Sequence, residues 1–145
     1  MSVALLDVNV LAALFDPAHV HHEPAHRWFA QHRKHGWATC PQTLNGCVRV
    51  LSNPVYPTVR ASPADVIEHL QTFCSDSHHI FWPDTVSLLD ETLIQKHALT
   101  SHRAVTDVHL LALAVKHHGR LVTFDGAIPI RAVHGAASRH LTILS

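Results

Sequence analysis

A chain of 145 residues with 47% hydrophobic and 15% charged residues has the composition of an ordinary globular domain, which excludes a disordered segment. Its 11 basic and 11 acidic side chains cancel with histidine neutral, so no broad basic surface is available and any nucleic-acid contact must be a local patch. No apolar stretch approaches the roughly 18–20 residues that span a bilayer, and the start lacks a signal peptide's basic segment and cleavage site; a cytoplasmic protein with no membrane partner is expected.

Short apolar runs alternate with amphipathic stretches, as βαβ units do, and residues 1–145 read as one α/β domain. Val3 to Leu6 is the first predicted strand, and Val8 to Phe15 a short helix stopped by Asp16-Pro17. A second helix is predicted from near Pro24, with Ala25, Trp28, Phe29 and His32 on one side and Gly36 as its stop. Trp37 to Cys40 is the second strand. Pro41 opens a helix with Leu44, Val48 and Leu51 at helical spacing, closed by Asn53-Pro54. Ser62-Pro63 pairs an N-cap with a first-turn proline, ahead of an apolar stripe of Val66, Ile67, Leu70 and Phe73. His79 to Trp82 is the third strand, and Val86 to Lys96 is predicted helical. Thr106 is the predicted cap of a helix carrying Val108, Leu111, Ala112 and Val115, which Gly119 ends. Arg120 to Phe124 and Leu141 to Leu144 complete five strands.

Cys40, Cys47 and Cys74 are odd in number and lack C-x-x-C spacing, which argues against disulfides and structural zinc; Cys40 and Cys47 read as buried thiols. The 16 histidines outnumber Lys plus Arg, and they titrate near neutrality, more readily protonated beside phosphate. His19, His22 and His26 are spaced close to one helical face, but Pro24 falls between them, so a continuous helix and a dedicated transition-metal site are not expected there. His102 and Arg103 lie just upstream of Asp107, placed to meet a phosphate or to be solvated in a loop.

Three aspartates sit at the ends of apolar runs: Asp7 after Val3 to Leu6, Asp107 in a first helical turn, Asp125 after Leu121 to Phe124. In open α/β sheets ligands bind at the carboxyl edge of the strands, and parallel topology would gather the three there. Carboxylates brought together repel one another unless a cation neutralises them, which points to a magnesium- or manganese-type site and phosphate chemistry. Taken singly, Asp107 also suits a helix start and Asp125-Gly126 a turn.

The run Leu5-Leu6-Asp7-Val8-Asn9-Val10-Leu11-Ala12-Ala13-Leu14, with His19-x-x-His22 and Ala25-x-x-Trp28 after it, resembles the opening of PIN-domain proteins, and more narrowly the VapC-type toxins of bacterial toxin–antitoxin pairs. The resemblance continues through Cys40 to Pro54, Phe81-Trp82-Pro83-Asp84, Ser87 to Asp90, Thr106 to Ala114 and Gly119 to Asp125, in the family's order. It implies a PIN-like three-layer α/β/α domain around a mainly parallel sheet of about five strands. It also implies a metal-dependent endoribonuclease, bound by an antitoxin in its acidic cleft and self-associating as a homodimer. Asp7, Asp107 and Asp125 match the acidic positions that hold Mg²⁺ or Mn²⁺; Asn9 and Thr123 match polar positions that orient them.

One position departs from the pattern. The family's glutamate in the helix after the second strand falls at Leu44 or an immediate neighbour, and no acidic residue lies between Glu23 and Asp65. Gln42, Thr43 or Asn45 can position water but supply no charge, so weaker metal affinity is expected. A PIN domain that binds RNA or antitoxin without cleaving is therefore the second expectation. A phosphotransfer enzyme with Asp7 as nucleophile is disfavoured, because Asn9 stands where its second aspartate belongs.

Overall fold

The computed structural model describes residues 2–145. Five strands form one parallel sheet: β1 (Ala4–Leu6), β2 (Trp37–Thr39), β3 (His79–Phe81), β4 (Arg120–Thr123) and β5 (Leu141–Ile143), in the order β3-β2-β1-β4-β5. Five α-helices flank them: α1 (Val8–Phe15), α2 (His22–His32), α3 (Pro41–Leu51), α4 (Pro63–Phe73) and α5 (Val105–Lys116). Among the described residues no helix is long and apolar enough to cross a membrane.

Period-two alternation along the strands divides the core. Leu5, Ala38 and Leu121 point to one side, where α5 packs with Trp82, Ile94, Ile128 and Val133. Ala4, Leu6, Trp37 and Val122 point to the other, into residues of α1, α2, α3 and α4. Both faces of the central strands are covered, which is why β1, β2 and β4 are largely apolar and a three-layer α/β/α arrangement results. β1 pairs β2 on one side and β4 on the other, so the chain's direction of travel reverses at β1.

Several elements differ from the sequence expectation, each for a local reason. α2 begins at His22 and runs through Pro24, which sits within its first turn where no N–H is required. It ends at His32, and a 3₁₀ turn, Arg33–His35, carries the chain to Gly36 at φ 95°. The predicted helix over Val86 to Lys96 is absent. There the Asp90 carboxylate takes the Thr92 amide at 2.9 Å, the Ser87 hydroxyl takes the Leu89 amide at 3.1 Å, and Ile94 bridges antiparallel to Val133. Such side-chain bonds give the backbone an alternative to the helix. The cap of α5 is Ala104, not Thr106, because a 3₁₀ turn over His102–Ala104 leads directly into it. α5 also ends differently: His118 takes the left-handed position at φ 55°, while the His118 amide donates to Val115 O and the Gly119 amide to Ala114 O. On α4, Ile67 is 45% exposed although the stripe placed it in the core; it lines a surface groove.

Gly119 is required by space. A Cβ there would stand 2.6 Å from the Val3 carbonyl oxygen and 2.7 Å from the Trp82 ring, which itself stacks on His117 with centroids 4.3 Å apart. Gly126 has nothing within 4 Å of the same position. Gly119→Ala is expected to destabilise the fold by about 1–3 kcal/mol, and Gly126→Ala to leave the urea midpoint within experimental error; equal midpoints for the two variants would contradict this packing.

Candidate active site

Register builds the site. Leu6 pairs with Val122, so the next residues, Asp7 and Thr123, leave adjacent parallel strands side by side. Asp7 is 6% exposed and caps α1, its Oδ1 accepting from the Val8 amide at 2.7 Å. Its Oδ2 accepts from the fully buried Thr123 hydroxyl, also at 2.7 Å. That hydroxyl accepts in turn from Asn9 Nδ2 at 3.2 Å and the Asp125 amide at 3.1 Å. Its one proton and both lone pairs are therefore in use. Asn9 closes the loop, its Oδ1 accepting from the Phe124 amide at 3.3 Å. Asp125 then accepts from the Ala127 amide at 2.9 Å, which fixes the turn after β4.

Asp107 arrives on the first turn of α5, which brings its carboxyl near those of Asp7 and Asp125. Burial, the charge of Asp7 and the contact with Asp125 push its pKa up to about 7. Burial also holds Asp7 above the usual carboxylate range; the Thr123 hydroxyl and the Val8 amide pull it down, and the Asp125 charge raises it further. The three predicted aspartates, with Asn9 and Thr123, thus gather at the carboxyl edge of β1 and β4, at the switch point of the sheet. The three carboxylates offer only oxygens, which suit a hard divalent cation. Among the described residues no three His, Cys, Asp or Glu side chains converge closely enough to hold an ion unaided.

Asn45 does not join them. It is exposed on α3 and, with Leu44, lines a groove of about 600 Å³ between α3, α4 and the ends of β2 and β3 that contains none of the three aspartates. The neighbouring α3 residues are committed elsewhere. Thr43 caps its own helix through the Cys40 amide at 3.1 Å, and Gln42 Oε1 accepts from His109 at 2.6 Å. His109, which sequence reasoning missed, lies two residues after Asp107 and also meets Asp84 at 2.8 Å and the Val86 carbonyl at 3.2 Å. It ties α5 to α3 and to the 84–86 segment. Only its place in Thr106-Asp107-Val108-His109 hinted at it.

The PIN domain family model matches residues 4–133. The chain belongs to the PIN-domain family. It is 50% identical over 141 residues to ribonuclease VapC44 of Mycobacterium tuberculosis, covering 97% of this chain and 99% of that protein. Ribonuclease VapC39 of the same organism is 49% identical over 132 residues, covering 91% and 95%. The crystal structure of M. tuberculosis VapC20, a sarcin–ricin-loop-cleaving toxin, superposes with a TM-score of 0.62 at 14% identity, covering 86% of this chain and 91% of that one. That likeness extends the finding to the PIN fold. The chain is accordingly a PIN-domain protein of the VapC toxin type.

The raised pKa of Asp107 has a defined sign. Without metal, the folded state keeps a proton that an unfolded aspartate, with an ordinary value of 3.8, would release. Between those two values stability falls as pH rises, and the loss is complete above about 7. In chelator, the thermal midpoint of wild type relative to Asp107→Asn is expected to drop between pH 5 and pH 8, with the variant the more stable at pH 8. A constant difference across that range would rule the crowding out.

Proposed function

We propose that this PIN domain is a divalent-metal-dependent endoribonuclease, the toxic component of a type II toxin–antitoxin pair acting in the cytoplasm. One observation supports the reading: Asp7, Asp107 and Asp125 lie close enough at the switch point to perturb one another's charge, in a chain half identical, over nearly its whole length, to proteins named ribonucleases. PIN-domain ribonucleases are generally divalent-metal dependent. The donor set fits, because it is all oxygen and because the crowding that raises Asp107 is what a cation relieves. Asp7, Asp107 and Asp125 would hold Mg²⁺ or Mn²⁺, with water completing the shell, as such ions prefer. When bound, the ion supplies positive charge to a phosphoryl oxygen and makes a bound water acidic enough to attack near neutral pH.

The chain's own groups set the stage for that chemistry. Thr123 and the Val8 amide hold Asp7 in one rotamer, so its carboxylate is preorganised. Asn9 fixes the backbone between Thr123 and Asp125, which aims the third carboxylate. Asp107 gives up its proton as a cation arrives, so metal binding should weaken as pH falls below about 7. RNA is the substrate, and the antitoxin covers the acidic cleft. The apolar groove with exposed Ile67 and Phe81 suits the apolar side of that partner. Self-association as a homodimer completes the proposal.

A second reading rests on α3. Leu44 lines the groove and no carboxylate replaces the family's glutamate, which favours a weakened domain that binds RNA or antitoxin without cleavage.

Induced expression in bacteria separates the two. Wild type is expected to arrest growth and generate discrete new RNA 5′ ends, both lost in Asp7→Asn and Asp107→Asn. Arrest that survives both substitutions establishes the binding mechanism instead. If wild type gives neither, Leu44→Glu is expected to restore both. Thr123→Val keeps the strand's shape but removes the hydroxyl; cleavage of the mapped RNA is expected to fall about 10–100-fold at saturating metal, and undiminished cleavage would remove Thr123 from the proposal.

A further inference from the structure

Beside the carboxylates, His21 and Phe124 lie face to face, their ring centroids 4.3 Å apart and their planes 10° from parallel. Phe124 separates Thr123 from Asp125, and its amide is the one Asn9 accepts from at 3.3 Å. The ring packs against the α1–α4 side of the core and remains partly exposed. His21 occupies the cap position of α2, yet its side chain makes no capping bond. Its backbone is engaged on both sides, the amide donating to His19 Nδ1 at 3.0 Å and the carbonyl accepting from the Ala25 amide at 3.0 Å, and the His19 ring lies 5.7 Å away, tilted by 39°. The imidazole is thus half-buried with no hydrogen-bond duty in starting the helix. Its neighbour Val20 is 83% exposed, which leaves an apolar step beside the stack.

We propose that the outer face of His21, backed by Phe124, stacks one unpaired base of the RNA next to the phosphodiester bond that is cut. This rests on the nuclease reading above and names how that site grips its substrate. The physical need comes from charge. A strand entering a cleft with three carboxylates is repelled, and a chain with zero net charge has no basic stripe to offset the repulsion. Stacking is charge-neutral, works on single strands, and tolerates any base because each has a π-face. Phe124 is one residue from Asp125, so a base seated on the pair sets the register of the strand against the carboxylates. The pair positions; it does no chemistry.

The test uses the full chain carrying Asp7→Asn, which leaves RNA intact, and a single-stranded oligonucleotide spanning a cleavage position mapped with wild type. Each nucleotide flanking that position is replaced in turn by an abasic one. One abasic position is expected to weaken binding about tenfold. His21→Ala should weaken the intact oligonucleotide by the same factor and abolish the abasic effect, while His21→Tyr restores both. Phe124→Leu should reproduce the loss in part, and thermal midpoints confirm that each variant is folded. An abasic penalty that persists in His21→Ala overturns the proposal. So does a His21→Ala loss that couples to no single nucleotide, or one that appears only in antitoxin binding, which would assign the surface to the protein partner. Failure of the nuclease reading looks different: wild type then makes no RNA ends that depend on Asp7 and Asp107, and both inferences fall together.

Discussion

The hydrogen bond from the Thr123 hydroxyl to Asp7 is the contact on which the site depends, and it exists because of register. β1 and β4 are parallel neighbours with Leu6 opposite Val122, so the first residue past β1 meets the last residue of β4. A slip of one residue would put Thr123 on the opposite face of the sheet and leave Asp7 buried without its partner. The alternation of Leu5 with Ala4 and Leu6, and of Leu121 with Val122, forbids that slip, since each residue belongs to a different core. Packing on both faces of the sheet therefore determines the position of a single polar contact at its edge.

That edge concentrates like charge. The proton on Asp107 persists to about pH 7 because burial and the nearby carboxylates of Asp7 and Asp125 disfavour its loss. In the proposed site the proton occupies the role a cation would take, so exchange of one for the other would link metal affinity to pH. The start of α3 adds nothing to this balance. Gln42 is held by His109, Thr43 by its own cap, and Leu44 faces the groove. In the proposed site, three carboxylates rather than four would leave less mutual repulsion and less attraction for an ion, so the same departure would temper both the cost of assembly and the strength of binding.

Much of the architecture was legible because apolar runs end where chemistry begins. Asp7 and Asp125 follow such runs, Asp107 opens one, and a parallel α/β sheet brings strand ends to a common edge. The capping pair Ser62-Pro63 and the stop at Asp16 were equally readable, since caps are local chemistry. The misplaced helix at 86–96 shows the limit. Its apolar residues sit at helical spacing, but Ile94 is claimed by Val133, nearly forty residues on, and the His109 ring takes the Val86 carbonyl. Neither partner can be inferred from the window itself. Ile67 failed likewise: its spacing on α4 is right, but nothing in the sequence says which part of the stripe lies open. Asn45 was singled out by its nearness to the missing glutamate in sequence, yet it lies on the groove side of α3.

The histidines, so prominent in composition, do their work as hydrogen-bonding and packing groups. His22 Nδ1 donates to the Ala13 carbonyl at 2.7 Å and His26 Nε2 to the Leu14 carbonyl at 3.0 Å, so two rings from α2 satisfy acceptors at the end of α1. The two rings stand 4.3 Å apart on one helix, and on each a nitrogen already has a backbone partner. His32 Nδ1 donates to the Trp28 carbonyl within α2, and His79 hydrogen-bonds the Thr39 hydroxyl at the end of β2. His117 stacks flat on Trp82, where burial lowers its pKa, and burial does the same for His79 and His140. An imidazole with its pKa lowered is neutral at physiological pH and keeps one N–H donor with an apolar body. At His79, His117 and His140 the imidazole thus contributes packing and polar contacts without charge.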